Sequence, residues 1–156
     1  GIEVVSEQYG NWSTADATEL MRVVVAQQPE IDGIWVGGLE MGPGVINSFQ
    51  EAGRDVPLVA GTNPTNGWLR LAEENGLDFY AAPFPPGASK VCVDVMVDLL
   101  EGNSIQKFID VKDLLDGTSP YGSEELASWY VEGLNDDFIG PLIYDEQYYA
   151  DNGFGR

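Results

Sequence analysis

Histidine is absent from the 156-residue chain, cysteine occurs once, and Lys plus Arg total 7 against 26 Asp plus Glu. Each shortage excludes something. Without histidine the commonest general base, the usual zinc ligand and every Ser-His or Cys-His pair are missing, so most hydrolase templates fail. The lone Cys92 cannot close an internal disulfide and says little about redox compartment. A net charge of -19 repels phosphate backbones and anionic lipid heads, which argues against nucleic-acid partners and peripheral membrane docking. No run of 18 apolar residues is present, so no segment reads as a transmembrane helix. The chain opens without an initiator Met, a charged n-region or an apolar h-region, and Gly1 is expected to mark a processing boundary.

What is present suffices for one folded domain: 44% hydrophobic and 11% aromatic residues can bury a core. Short β-rich runs alternate with amphipathic stretches. Ile2–Val5 is an expected strand, followed by a helix from Thr14 to Gln28 with Leu20, Val23, Val24 and Gln27 at near-helical spacing, ended by Pro29. Gly33–Gly37 is expected as a strand buried on both faces, because its apolar residues are consecutive. Val45, Ile46, Phe49 and Ala52 mark a second helix closed by Gly53. Pro57–Gly61 is the third strand, and Asn66 is expected to cap a third helix carrying Trp68, Leu71 and Ala72. Phe79–Ala82 is the fourth strand. Cys92, Val95, Met96, Leu99 and Leu100 then form the clearest apolar helix face, on which Cys92 reads as a small core residue. The expected fold class is therefore α/β, a mainly parallel sheet flanked by helices.

The pattern changes after Gly102. Phe108–Val111 resembles one more strand, Ser123 is expected to cap a short helix through Leu134, and Asn135 to Arg156 reads as a docked irregular tail. No internal repeat stands out.

Open parallel sheets bind ligands beyond the carboxyl ends of their strands. Those loops here are Glu7–Trp12, Gly37–Gly44, Thr62–Asn66 and Pro83–Gly87. They combine flat aromatics with amides, hydroxyls and an acid, the chemistry of a neutral polyhydroxylated solute whose C–H face stacks on rings. The candidate ligand-binding residues are Asn11, Trp12, Gly38, Leu39, Glu40, Thr62, Asn63 and Phe84. Each has a structural alternative: Trp12 as packing at a helix entry, Asn63 as a turn former, Glu40 as acceptor for backbone N–H groups at a helix start. The glycines around Gly38 lack the lysine and third glycine of phosphate-binding loops. No nucleophile–base pair appears in the loops, so no catalytic residue, cofactor or metal is assigned.

The run Gln28-Pro29-Glu30-Ile31-Asp32-Gly33-Ile34-Trp35, then Glu40-Met41 and Gly44, then Ala52-Gly53-Arg54 and Val59-Ala60-Gly61, resembles the C-terminal half of the ribose-type periplasmic sugar-binding proteins. The match runs in order from about Ile2 to Ile109. The resemblance implies a Rossmann-like lobe of a type I periplasmic binding protein, present as a partial chain. Residues 1–102 would be part of the C-terminal lobe. Residues 103–156 would supply a crossover strand, short helix and acidic tail packed on the other lobe or hinge. It implies the solute receptor of a bacterial ABC importer, periplasmic or extracellular, lipid-anchored through a removed signal. Its partners would be a sugar or polyol-like ligand, a membrane permease and the missing N-terminal lobe. Carried over by position, the stacking aromatic falls on Trp12, the sugar-binding Asn and the Asp after it on Gly38 and Leu39, the sugar-binding Asp on Asn63 with Thr62 before it, and the crossover Gln at or near Phe84. The alternative is the effector-sensing domain of a lactose-repressor-like regulator, with the same fold but an acidity that opposes DNA approach.

Overall fold

The computed structural model describes residues 1–84, 88–109, 120–140, 146–149 and 151–152. Helix α1, Thr14–Gln27, is capped by Ser13, whose hydroxyl accepts from the Asp16 N–H at 3.2 Å. It leads to β1, Gly33–Val36, then a 3-10 turn over Leu39–Met41 and helix α2, Gly42–Glu51. Strand β2, Leu58–Gly61, helix α3, Asn66–Glu74, and strand β3, Phe79–Ala81, follow, with α4 spanning Ala88–Leu100. A two-residue strand β4, Tyr121–Gly122, opens directly into α5, Ser123–Ala127, and α6 covers Glu146–Tyr149.

The sheet order is β1-β2-β3-β4. Val36 pairs with Gly61 and Gly61 with Ala81 in parallel register, whereas β4 joins β3 antiparallel. With three parallel strands in line, every carboxyl end of β1 to β3 points to the same edge. The core lies on one face of this sheet: Ile46 and Phe49 of α2, Trp68 and Leu69 of α3, and Leu126 of α5 pack over Val36, Val59 and Phe79. Trp68 meets Phe79 edge to face with centroids 5.3 Å apart, the arrangement the ring quadrupoles favour.

Several expectations are corrected. Ile2–Val5 forms no strand: it lies exposed and unpaired, since β propensity needs a neighbouring strand to act on. Strand β1 is not buried on both faces. Trp35 is 67% exposed, and Leu58 and Tyr80 on the adjoining strands are also exposed, so the second sheet face is bare among the described residues. The apolar stripe of α4 is real but likewise uncovered. Met96, Leu99 and Leu100 are exposed, as is Cys92, which is no core residue here. Periodicity shows that a helix has an apolar face, not that a partner is present.

Thr65, not Asn66, caps α3, its hydroxyl accepting from the Trp68 N–H at 3.2 Å. Asn66 is buried in the first turn and reaches across to the later chain. Its Nδ2 donates to the carbonyls of Val131 and Leu134, and its Oδ1 accepts from the Val131 N–H. Helix α5 stops at Ala127, well short of Leu134, with Gly122 at its cap; the Glu125 carboxylate accepts from the Gly122 N–H. Phe108 and Ile109 carry no strand, while Asp110 and Val111 lie outside the described residues. Residues 135–140 do dock as an irregular tail: Gly67 N–H donates to the Asp136 carbonyl, Asn66 N–H to that of Phe138, and Thr65 bridges Ile139.

Candidate functional site at the strand carboxyl ends

The loop before α1 turns through Asn11 and Trp12, both at positive φ (51° and 57°). A bulky residue in that region is uncommon and costs of order 1 kcal/mol or more, so surrounding contacts must hold it. They do. The Asn11 Nδ2 donates to the Asp16 carboxylate at 3.0 Å and the Ser13 N–H to the Gly10 carbonyl at 2.9 Å. The Trp12 ring is thereby presented to solvent, 65% exposed, with its edge against Gly38. A Cβ at Gly38 would collide with Trp12 Cζ3 and with both carboxylate oxygens of Glu40. Gly38 itself is extended, with φ -150°, so glycine is required there for space and not for backbone conformation.

Helix α1 is fastened to this corner by two hydroxyls. Thr14 Oγ1 donates to the Glu40 carbonyl at 2.7 Å, and Ser48 Oγ donates to the Thr18 and Gly44 carbonyls. The Glu40 side chain does not take the structural alternative of accepting backbone N–H groups at a helix start. Its Oε2 is sealed from water and meets no donor among the described residues.

The next strand end is tied to the first. The Leu39 N–H donates to the Thr62 carbonyl at 2.9 Å, and Thr62 Oγ1 donates to the Gly37 carbonyl. Asn63 follows with φ 50°, and its Oδ1 accepts from the Phe84 N–H at 2.8 Å. Phe84, 65% exposed, thus stands where β3 ends. The candidates therefore form one continuous wall, from Asn11 and Trp12 through Gly38 and Glu40 to Thr62, Asn63 and Phe84. Leu39 is the exception. It is fully buried and packs over Gly61 in the core, because the 3-10 turn rolls its apolar side chain inward; it supports the wall from beneath. Pro85, Pro86 and Gly87 of the fourth loop lie outside the described residues.

Sequence reasoning did not single out Thr14, whose bond to Glu40 joins helix and turn. Nothing in a Ser-Thr helix start distinguishes that role from ordinary capping.

The wall is open. Two hollows among the described residues lie at the other end of the sheet. One of about 210 Å³ is lined by Leu69, Phe79, Ser123 and Tyr130, and another by Pro57, Leu58 and Asp78. They are shallow features of helix packing at the strand starts, remote from the conjunction of aromatics and polar groups. Among the described residues no group of three His, Cys, Asp or Glu could hold a metal, and no helix is long and apolar enough to cross a membrane.

Comparison with known proteins gives a consistent answer. A protein assigned as rhizopine-binding in Rhizobium meliloti is 28% identical over 111 residues, which is 70% of this chain and 36% of that protein. The ribose import binding protein RbsB of Bacillus subtilis (strain 168) is 23% identical over 108 residues, 69% of this chain and 35% of its own length. The chain thus spans about a third of the curated relatives it matches. In structure, it resembles a 5-methylthioribose transporter solute binding protein from Thermotoga lettingae, solved with 5-methylthioribose. The TM-score is 0.64 at 16% identity, covering 96% of this chain and 49% of that one. The model of the periplasmic binding protein domain matches residues 1–104, and with the parallel sheet and its shared carboxyl edge already in place, the chain belongs to the periplasmic binding protein family.

Proposed function

We propose that this chain supplies one wall of a solute receptor for a bacterial ABC importer. The receptor binds a sugar or sugar-like small molecule in a cleft between this lobe and the remainder of the polypeptide. It performs no chemistry, works in the periplasm or outside the cell, and delivers its ligand to a membrane permease. Residues 1–102 carry the wall; residues 103–156 carry the crossing toward the second lobe, with 121–140 returning to dock on α3 and β3. The observation that supports this most is the convergence of Trp12, Gly38, Glu40, Thr62, Asn63 and Phe84 along one edge of the sheet. An exposed indole beside hydrogen-bonding amides and a carboxylate suits a ring with an apolar face and hydroxylated rim.

The test is titration of the full-length polypeptide against pentoses, hexoses and cyclitols. With a binder in hand, Trp12→Ala is expected to weaken affinity by roughly 1–3 kcal/mol, the scale of a buried aromatic anchor. An unchanged dissociation constant would show that Trp12 only packs at the helix entry and would remove the stacking wall from the proposal.

A further inference from the structure

We propose that residues 131–139 form a positioning strap for the ligand wall: docked on the start of α3, they hold the loop from Thr62 to Asn66 and thereby set where Asn63 and Phe84 stand. The proposal rests on the solute-receptor reading above and adds to it a determinant of affinity that touches no ligand.

The loop is clamped at both ends. Toward the sheet, the Leu39 N–H donates to the Thr62 carbonyl at 2.9 Å, and Thr62 Oγ1 donates to the Gly37 carbonyl. Toward the strap, Thr65 bridges Ile139, and the first two N–H groups of α3 are both taken: Asn66 donates to the Phe138 carbonyl at 2.7 Å and Gly67 to the Asp136 carbonyl at 2.9 Å. The first N–H groups of a helix have no partner inside it. Here the Thr65 hydroxyl serves only the third, that of Trp68, and the strap carbonyls serve the two before it. The Asn66 side chain adds its bonds to Val131 and Leu134, and Arg70 pairs with Asp136 at 3.1 Å on the outside.

Nothing soft lies between clamp and wall. Only Pro64 and Thr65 separate Asn63 from Asn66; both are buried, and the proline ring fixes its own φ. Asn63 stands at φ 50°, a region asparagine tolerates without preferring it, so its orientation depends on both flanks being held. Its Oδ1 accepts from the Phe84 N–H at 2.8 Å. A displaced strap therefore reaches the wall as a rotation of Asn63 and a release of Phe84. The strap sits close because Gly67 has no side chain: a Cβ there would come within 2.8 Å of the Asp136 Cβ and 3.2 Å of its carbonyl oxygen.

Gly67→Ala pushes on the strap while changing no wall residue, and a helix accepts alanine more readily than glycine. Ribose, glucose, galactose and myo-inositol are titrated calorimetrically into the full-length polypeptide. For a compound that binds wild type, Gly67→Ala should raise the dissociation constant about three- to tenfold, the worth of one directional hydrogen bond. The double variant Gly67→Ala/Asp136→Gly, which removes the colliding side chain, should return it to within about twofold of wild type. Val25→Ala opens a cavity in the buried end of α1, far from the loop. It should lower the denaturation midpoint and leave the dissociation constant unchanged, which separates positioning from stability. A second measurement needs no variant and decides the matter even where Gly67→Ala fails to fold. Coupling is reciprocal, so saturating wild type with the bound compound should slow hydrogen exchange at the Gly67 and Val131 amides severalfold more than at Leu77, whose N–H bonds the Ala72 carbonyl at the opposite pole. An opening of the strap that left the wall intact would be indifferent to the sugar. An unchanged dissociation constant in Gly67→Ala, or strap amides that the sugar slows no more than Leu77, would overturn this inference and leave the receptor reading standing. Failure of every compound to bind wild type would overturn the receptor reading and this inference with it.

Discussion

Replacing Asn66 by Ala is expected to destabilise the protein by about 3 kcal/mol, and the figure follows from three buried hydrogen bonds at about 1 kcal/mol net each. The Nδ2 group donates to the carbonyls of Val131 at 2.9 Å and Leu134 at 3.2 Å, and Oδ1 accepts from the Val131 N–H at 2.9 Å. Asn66 is only 1% exposed, so water cannot replace what is removed. The better helix propensity of Ala returns roughly half a kcal/mol. The cost of leaving the buried Val131 N–H without an acceptor offsets that gain. For a domain of this size about 3 kcal/mol corresponds to a fall in Tm of roughly 6–12 °C. Urea unfolding of the intact polypeptide, followed by tryptophan fluorescence, reads the change directly. Asn66→Asp sharpens the test. It keeps the acceptor for Val131 but turns both donated bonds into contacts between a carboxylate and carbonyl oxygens, so it should cost at least as much as Ala. A loss below about 1 kcal/mol for either variant would refute the reasoning, because the bonds would then be worth no more than a single surface contact.

Other outcomes follow from packing and charge. Gly42→Ala drives a Cβ into the ring of Trp68, which is wholly buried; overpacking of about 1–3 kcal/mol should appear as a lowered denaturation midpoint, and an unchanged midpoint would contradict the packing described. Gly38→Ala should weaken sugar binding by about tenfold or more through displacement of Trp12 and Glu40. Its Tm should stay near that of wild type, since the extended backbone accepts Ala; equal affinity would show the notch to be irrelevant. The Arg22 guanidinium, hydrogen-bonded to Glu51 and opposite to it in charge, holds the Glu51 carboxyl below its usual range. A depressed carboxylate contributes stability that is complete above its ordinary unfolded pKa and disappears as pH falls through the lowered folded value. The Tm difference between wild type and Glu51→Gln should therefore be greatest near neutrality, vanish in strong acid, and shrink in salt because both partners are exposed. A difference that persists in acid would exclude the ion pair as its source.

Helices α1 to α3 and strands β1 to β3 fall close to where the sequence puts them, because residues such as Pro29 and Gly53 punctuate the chain at positions local sterics can read. The wall was legible for a related reason: parallel strands bring their carboxyl ends to one edge, so the loops that follow must be neighbours. Long-range partnership was not legible. Asn66 looks like a cap until Val131, 65 residues away, is seen to use it. Ile2–Val5 has strand-forming residues and no strand to join, and the stripe of α4 promises burial that nothing described provides. Leu39 has the right sequence position for a binding residue and the wrong polarity to stay in water, and polarity prevailed. That Trp12 and the Glu40 carboxylate meet at Gly38 follows from a left-handed turn at Trp12, which no local pattern encodes.

The Asn66 latch also has a consequence for biosynthesis. Elongation at ordinary ribosomal speed puts roughly 3–13 s between the emergence of Asn66 and that of Val131, its partner 65 residues downstream. Throughout that interval the amide is hydrated and the start of α3 stays unlocked, so the nascent chain cannot complete this half of its interior. A translational pause anywhere in that window would prolong the vulnerable intermediate, and a protease acting on nascent chains would find its target there.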